Sequence, residues 1–240
     1  MPTVDKVKIW QHVRRGIYAV INKLRTKSDN SKTGNMAGLY VLPIEEKPTD
    51  SIKNKTDDKQ CGSCPLKGNI CYVNPVSTNG VYKSSVDLPV ALPAATNKPL
   101  RFGVYGEPGF IPYTLSDKIA GRFTGWAGYT HAWQDITPNH ADFLMASIDS
   151  ISAAQHNMSS LDLAKQSWDM GYRSYRIVDS LSDLHESERA CPHYTHGVQC
   201  DTCLLCSGTQ GRGKINIAAI IHGPQNKVKT YHKLQTIQGA

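Results

Sequence analysis

Seven cysteines in two spaced groups are the residues of this chain whose types and spacing can do chemistry. The group near the C-terminal end runs Cys191-Pro-His-Tyr-Thr-His-Gly-Val-Gln-Cys200-Asp-Thr-Cys203-Leu-Leu-Cys206, a Cys-x8-Cys-x2-Cys-x2-Cys pattern. Two consecutive x2 steps suit a 4Fe-4S cluster, whose iron corners each take one thiolate, with Cys191 as the fourth ligand. The same four thiolates also complete a tetrahedral Zn2+ site, and His193 or His196 could replace one of them. Both metals stay open. The other group, Cys61-Gly-Ser-Cys64-Pro-Leu-Lys-Gly-Asn-Ile-Cys71, brings three cysteines and no evident fourth. Three ligands leave a coordination position free, as catalytic metals require; the plainer alternative is a structural zinc completed by a distant His131 or His222.

Such cysteines are read as ligands because the rest of the chain looks intracellular. Met1 to Trp10 has no apolar core of signal-peptide length, and nowhere do about eighteen apolar residues run together, so the expectation is a cytoplasmic protein with no membrane partner. In a reducing compartment an odd number of grouped cysteines argues for metal or redox chemistry over a disulfide framework. The formal charge is +7, which favours phosphates or acidic partners but also suits a merely soluble basic protein.

Around these groups the pattern predicts an α/β fold with a mainly parallel sheet, open or closed into a partial barrel, and cysteine-rich metal-binding loops. Apolar residues at three- and four-residue steps from Val4 to Leu24, with Lys and Arg on other faces, predict a basic amphipathic helix. The polar stretch Thr26 to Gln60, broken by Leu39 to Pro43, predicts a loop, a short strand and a mobile linker. Residues 1–60 would thus be helix and linker, and residues 61–240 the metal-binding α/β part of one compact domain. Apolar runs at Leu100 to Tyr105, Phe123 to Thr130, Phe143 to Ile148, Tyr172 to Val178 and Ile215 to Ile221 predict strands, with helical crossovers at Tyr113 to Ala120 and Ser152 to Met170. Gly208 to Gly213 lacks the ending of a phosphate loop and reads as a flexible connector.

Parallel sheets place their working residues at the carboxyl ends of the strands. That rule nominates Glu107, His131 and His222 for catalysis, with Glu107 or His131 moving the proton. It nominates Tyr105, Gly106, Tyr129, Thr130, Asp149 and Arg176 for cofactor or substrate binding, Arg176 holding an anionic group. Each of these is also an ordinary turn residue when taken singly.

The ordered set Asn30-Ser-Lys-Thr-Gly34, Cys64-Pro-Leu-Lys-Gly-Asn-Ile-Cys71-Tyr72, Tyr129-Thr130-His131, Ala190-Cys191-Pro192, Cys200-Asp-Thr-Cys203-Leu-Leu-Cys206 and His222-Gly223 resembles a family of phage- and prophage-encoded cysteine-rich proteins. The resemblance spans Asn30 to Gly223 and implies a phage origin, a host-cytoplasm location and a metal site, without an activity. More distantly, the order of parts is similar to radical S-adenosylmethionine enzymes. That likeness implies an open cluster on Cys61, Cys64 and Cys71, and S-adenosylmethionine as cofactor with Gly106-Glu107-Pro108 gripping its amino group. It also implies an auxiliary cluster on Cys191, Cys200, Cys203 and Cys206. Here the first group is spaced Cys-x2-Cys-x6-Cys, where that superfamily shows Cys-x3-Cys-x2-Cys.

Two functions compete on these residues. One is a metalloenzyme, iron–sulfur in type, acting on a small-molecule or nucleic-acid substrate. The other is a zinc-stabilised protein that binds nucleic acid or host machinery without catalysis, whose affinity for DNA or RNA would fall steeply with salt. A cysteine-nucleophile hydrolase ranks below both, since no cysteine stands apart from the two groups.

Overall fold

The protein is described by a computed structural model covering residues 5–28, 30–68 and 70–238, with side chains described to residue 235. Its elements, in chain order, are β1 (Lys6–His12), β2 (Ile17–Asn22), β3 (Ala37–Pro43), α1 (Pro48–Asn54), α2 (Asp58–Cys61), α3 (Pro75–Lys83), β4 (Leu100–Tyr105), α4 (Tyr113–Ala120), β5 (Trp126–Thr130), β6 (Met145–Ile148), α5 (Ser150–Gln155), α6 (Ser160–Asp169), β7 (Ser174–Val178), β8 (Glu188–Ala190), α7 (Pro192–His196), α8 (Cys200–Cys203), β9 (Asn216–Ile220) and α9 (Gln225–Gln238). The strands form one nine-stranded sheet, ordered β1-β2-β3-β4-β5-β6-β7-β9-β8. The pairs β1–β2 and β2–β3 are antiparallel, and every pair from β3 to β8 is parallel. The sheet does not close.

Both faces of this sheet are covered, which is why the parallel strands read as continuous apolar runs. On one face Ile17, Ala19, Ile21, Leu39, Val41, Leu100 and Phe102 pack with Ile119 of α4. Farther along, Ala146 and Ile148 pack with Leu163 and Ala164 of α6. On the other face Tyr18, Val20 and Leu42 pack with Val81 of α3, and Met145, Tyr175, Ile217 and Ala219 pack with Cys191. Strands β4 and α4 form where the pattern predicts them, and β5, β6, β7 and β9 lie inside their predicted spans. The predicted Ser152 to Met170 helix is two helices: Asn157 takes a left-handed φ of 53° and Ser159 starts α6 by accepting from the Asp162 N–H at 3.1 Å.

The N-terminal reading needs correction. The helix expected from Val4 to Leu24, whose first residue lies outside the described ones, is instead the strand pair β1 and β2. Val13, placed on the supposed apolar stripe, is 74 % exposed at the turn between them, where Gly16 supplies a left-handed φ of 70°. The decisive signal is the run Ile17-Tyr-Ala-Val-Ile, buried on every side, because β-branched and aromatic residues suit a doubly covered strand better than a one-stripe helix. The expected mobile linker is likewise ordered. Its strand extends to Ala37–Pro43, and beyond it α1 and α2 lock through the buried Gln60, whose Nε2 donates to Ser51 Oγ at 2.8 Å. Residue 60 therefore marks no boundary: α2 crosses it, and β3 shares the sheet with β4. Among the described residues no helix is long and apolar enough to cross a membrane.

Candidate functional site

Strands β4, β5, β6 and β7, the segment between β3 and β4 and the residues after β9 line a cavity of about 410 Å³. Cys61, Cys64 and Cys71 line it from the segment after β3, Tyr105, Gly106 and Glu107 from the turn after β4, Tyr129 and His131 from β5 and its end, and His222 from the end of β9. The three predicted catalytic residues thus share one space. Predicted metal ligands stand in the same wall.

The turn after β4 is built by its glycine. Gly106 has a φ of 74°, and a Cβ there would press into the Val41 carbonyl on β3 and the Gln60 carbonyl of α2. The next amide, Glu107 N–H, donates to Gln60 O at 2.7 Å, so the turn and the cysteine-bearing helix are fitted to one another. Gly106→Ala is expected to lower stability by about 1–3 kcal/mol from left-handed strain, with the collision added; a urea midpoint unchanged from the parent would refute this account of the turn.

Glu107 is 3 % exposed, and its oxygens accept from Gly109 N–H at 2.8 Å and His131 N–H at 3.0 Å. Its carboxylate is therefore held rigidly and fixes the start of the His131 segment. The His131 Nε2 lies 3.7 Å from Asp149 Oδ2, an ion-pair distance, and has no hydrogen-bond partner. Burial disfavours the imidazolium, but the neighbouring Cys64 side chain and the Asp149 carboxylate outweigh it and hold the His131 pKa well above its ordinary value. Asp149 is buried behind the imidazole and also caps α5, accepting from Ser152 N–H and Oγ at 2.8 Å each. His222 Nδ1 sits 2.9 Å from Ile220 O, its ring is 4.5 Å from that of Tyr194, and burial pulls its pKa down.

The second cysteine group adjoins the same cavity. Cys191, Cys200, Cys203 and Cys206 line a small hollow that shares Lys32, Ala127, Tyr129 and Cys200 with the large one. Its segment is pinned on two sides. Cys200 N–H donates to Lys32 O at 2.8 Å, Gln199 Nε2 to Ser31 O at 2.9 Å, and Asn35 N–H to Asp201 Oδ2 at 2.7 Å. At Gly34 (φ 56°) any Cβ would collide with that Asp201 carboxylate. On its other side, against the central strand β5, Gly128 N–H donates to Cys206 O at 2.8 Å, and Trp126 Nε1 to Ser207 O at 2.7 Å. The Gly208 to Gly213 segment, expected to be a flexible connector, is held by Arg173, which donates to the carbonyls of Gly208, Leu205 and Ile215.

Three expected binding residues do not line the cavity: Asp149, which caps α5 behind His131, Arg176 and Thr130. Arg176, expected to hold an anionic group, is paired with Glu188: Nε to Oε1 at 2.8 Å and Nη2 to Oε2 at 2.5 Å, with side chains 5 % and 0 % exposed. Strand alternation explains it, since Tyr175 and Ile177 of β7 line the cavity and Arg176 between them faces the opposite side. Thr130 is also turned away from the cavity; its Oγ1 accepts from Ala132 N–H at 3.0 Å and shapes the turn that presents His131. Two cavity residues absent from the candidates are Arg101 and Lys32. A lone charge inside Leu100-Arg-Phe was a signal for the first, and membership of the Asn30 to Gly34 motif for the second.

All seven cysteines are free thiols. Burial pushes Cys61 well up, and nearby Cys64 and Cys71 push it further. Burial likewise pushes Cys206 up to about 12, against the Tyr129 hydrogen bond and with Cys191, Cys200 and Cys203 adding to it. Among the described residues no three His, Cys, Asp or Glu side chains stand as a ready metal-binding group. The chain matches no protein-family model, no curated protein and no solved structure.

Proposed function

We propose that the cavity is the active site of a cysteine-ligated metalloenzyme, in which Cys61, Cys64 and Cys71 take an iron–sulfur cluster with one open position and Cys191, Cys200, Cys203 and Cys206 take a second cluster or Zn2+. The supporting observation is spatial order: consecutive parallel strands β3 and β4 deliver first the three-cysteine segment and then the Gly106-Glu107 turn to the wall of one cavity. That is the arrangement to which the resemblance to radical S-adenosylmethionine enzymes points. The donor chemistry fits, because crowded buried thiols raise one another's pKa and a bound cation reverses that cost.

A cluster with an open iron supplies a one-electron reductant and a docking point for a chelating cofactor. The chain's own residues do the rest. Glu107, fixed by two backbone donors, offers a carboxylate to the amino group of S-adenosylmethionine or of the substrate. His131, whose Nε2 faces Asp149 and whose ring lines the cavity, is the proton-transfer group for a ligand bound there. Glu107 is buried from bulk water, while the His131 side chain stays 20 % exposed towards it.

The test is anaerobic expression and reconstitution followed by iron, sulfide and zinc analysis. A brown protein with broad absorbance near about 400 nm and roughly four irons and four sulfides per filled set is the expected result. A colourless zinc protein would move the reading to a zinc-stapled binding protein without catalysis. A protein that takes neither metal, with Cys64 alkylated fastest, would instead favour a thiol nucleophile, since Cys64, His131 and Asp149 form a nucleophile–base–orienter line.

A further inference from the structure

Arg101 sits in the cavity with a charge that the protein does not answer. It lies on β4 between Leu100 and Phe102, both buried. Its Nε is buried with no hydrogen-bond partner, and Nη2 donates only to the hydroxyl of Tyr72. Arg101 as a whole is half-buried; the two buried arginines behave differently, Arg176 having the Glu188 carboxylate and Arg173 three carbonyls. A guanidinium cannot shed its proton, so holding its Nε away from water without an acidic partner carries a cost that a bound anion would offset.

Lys32 repeats the pattern from the other side. Its Nζ donates to the Tyr194 hydroxyl at 2.8 Å and stands 3.5 Å from His222 Nε2, and no carboxylate pairs with it among the described residues. Arg101 and Lys32 lie near enough to act on one another and on Cys200. Around the whole cavity four cations, Lys32, Lys67, Arg101 and Lys227, stand against a single lining carboxylate, Glu107. Low-dielectric walls concentrate such a field on whatever enters. Beside Arg101 stand the rings of Tyr129 and Tyr175, 4.4 Å apart between centroids, and the ring of Tyr72, 5.8 Å from the guanidinium carbon.

We propose that the part of the cavity between the two cysteine groups is an oxyanion subsite, in which Arg101 and Lys32 hold a carboxylate or phosphate of the substrate and Tyr72, Tyr129 and Tyr175 pack against an aromatic ring that carries it. This deepens the reading of the cavity as an active site by naming its substrate class, and it does not depend on which metal the thiols take. Arg101 offers the flat fork that matches two oxygens of one anion, and Lys32 a point charge beside it.

The experiment titrates the full-length protein, as purified and after reconstitution, with phenyl phosphate, benzoate, inorganic phosphate and the neutral benzamide, using calorimetry. The two aromatic anions should bind and benzamide should not, and whichever of the two binds more tightly identifies the oxyanion. Inorganic phosphate should bind more weakly than phenyl phosphate, because it lacks the ring. Arg101→Gln and Lys32→Gln should each weaken anion binding about 10- to 100-fold with metal content and circular dichroism unchanged. The proposal is overturned if benzamide binds as well as benzoate, or if both variants keep the parent affinity. Loss of metal from the variants, with no anion binding by the parent, would also overturn it and assign the two cations to balancing cysteine thiolates. Lys32→Gln keeps the test decisive should Arg101→Gln not fold. Absence of iron with anion binding intact would remove the cluster reading and leave this subsite standing.

Discussion

Glu188→Ala should destabilise the protein by about 3–5 kcal/mol, the usual cost of leaving a buried charge without its partner. Glu188 is wholly buried and meets Arg176 through two hydrogen bonds. It also accepts from His185 N–H at 3.0 Å, while Arg176 donates to Asp183 O at 2.7 Å. The pair therefore ties β7, β8 and the segment between them together. Against a total stability on the order of 5–15 kcal/mol, the variant should melt at a far lower urea concentration and expose the edge of the sheet that carries Cys191. Removing both charges with apolar residues, Arg176→Met with Glu188→Leu, should recover most of the loss, because neither ion then remains to be solvated. A single variant within about 1 kcal/mol of the parent would show that water reaches the pair.

Exchanging Cys61, Cys64 and Cys71 for serine together should remove one metal set completely and leave the other filled. The converse triple, Cys200, Cys203 and Cys206 to serine, should empty only the second. The separation is expected because each group lies on its own segment, after β3 for the first and after β8 for the second, and the two meet only where Cys200 reaches the shared cavity. Iron and zinc counts on the two variants read the outcome directly, and activity should vanish with the first triple. Loss of all metal from either variant would mean one joint site, contrary to the proposed division. The second triple should also lower the thermal midpoint, since α7 and α8 are only five and four residues long and too short to hold together unaided.

How much of this was legible in the sequence depended on burial. Strands β4 to β7 and β9 could be read because both their faces are covered, so each is a nearly unbroken apolar run. The same covering misled at Ile17 to Ile21, where a fully buried strand also satisfies three- and four-residue spacing. Strand β8 has three residues, Glu188 to Ala190, and carries no apolar run at all. The rim residues Glu107, His131 and His222 followed from the rule about strand ends. Which arginine would face the cavity did not: Arg101 and Arg176 each interrupt an apolar strand, and alternation places Arg101 on the cavity side with Gly103 and Tyr105 but Arg176 opposite to Tyr175 and Ile177. Thr130 and His131 pose the same question of parity one residue apart.

The clasp between residues 31–35 and 199–201 joins segments 166 to 168 positions apart. A nascent chain leaving the ribosome has its first cysteine trio and most of the sheet long before Cys200 exists to meet Lys32. The second thiol group therefore receives its anchoring contacts only once some 166 further positions have been synthesised beyond Asn35, well after the first cysteine trio has joined its strands.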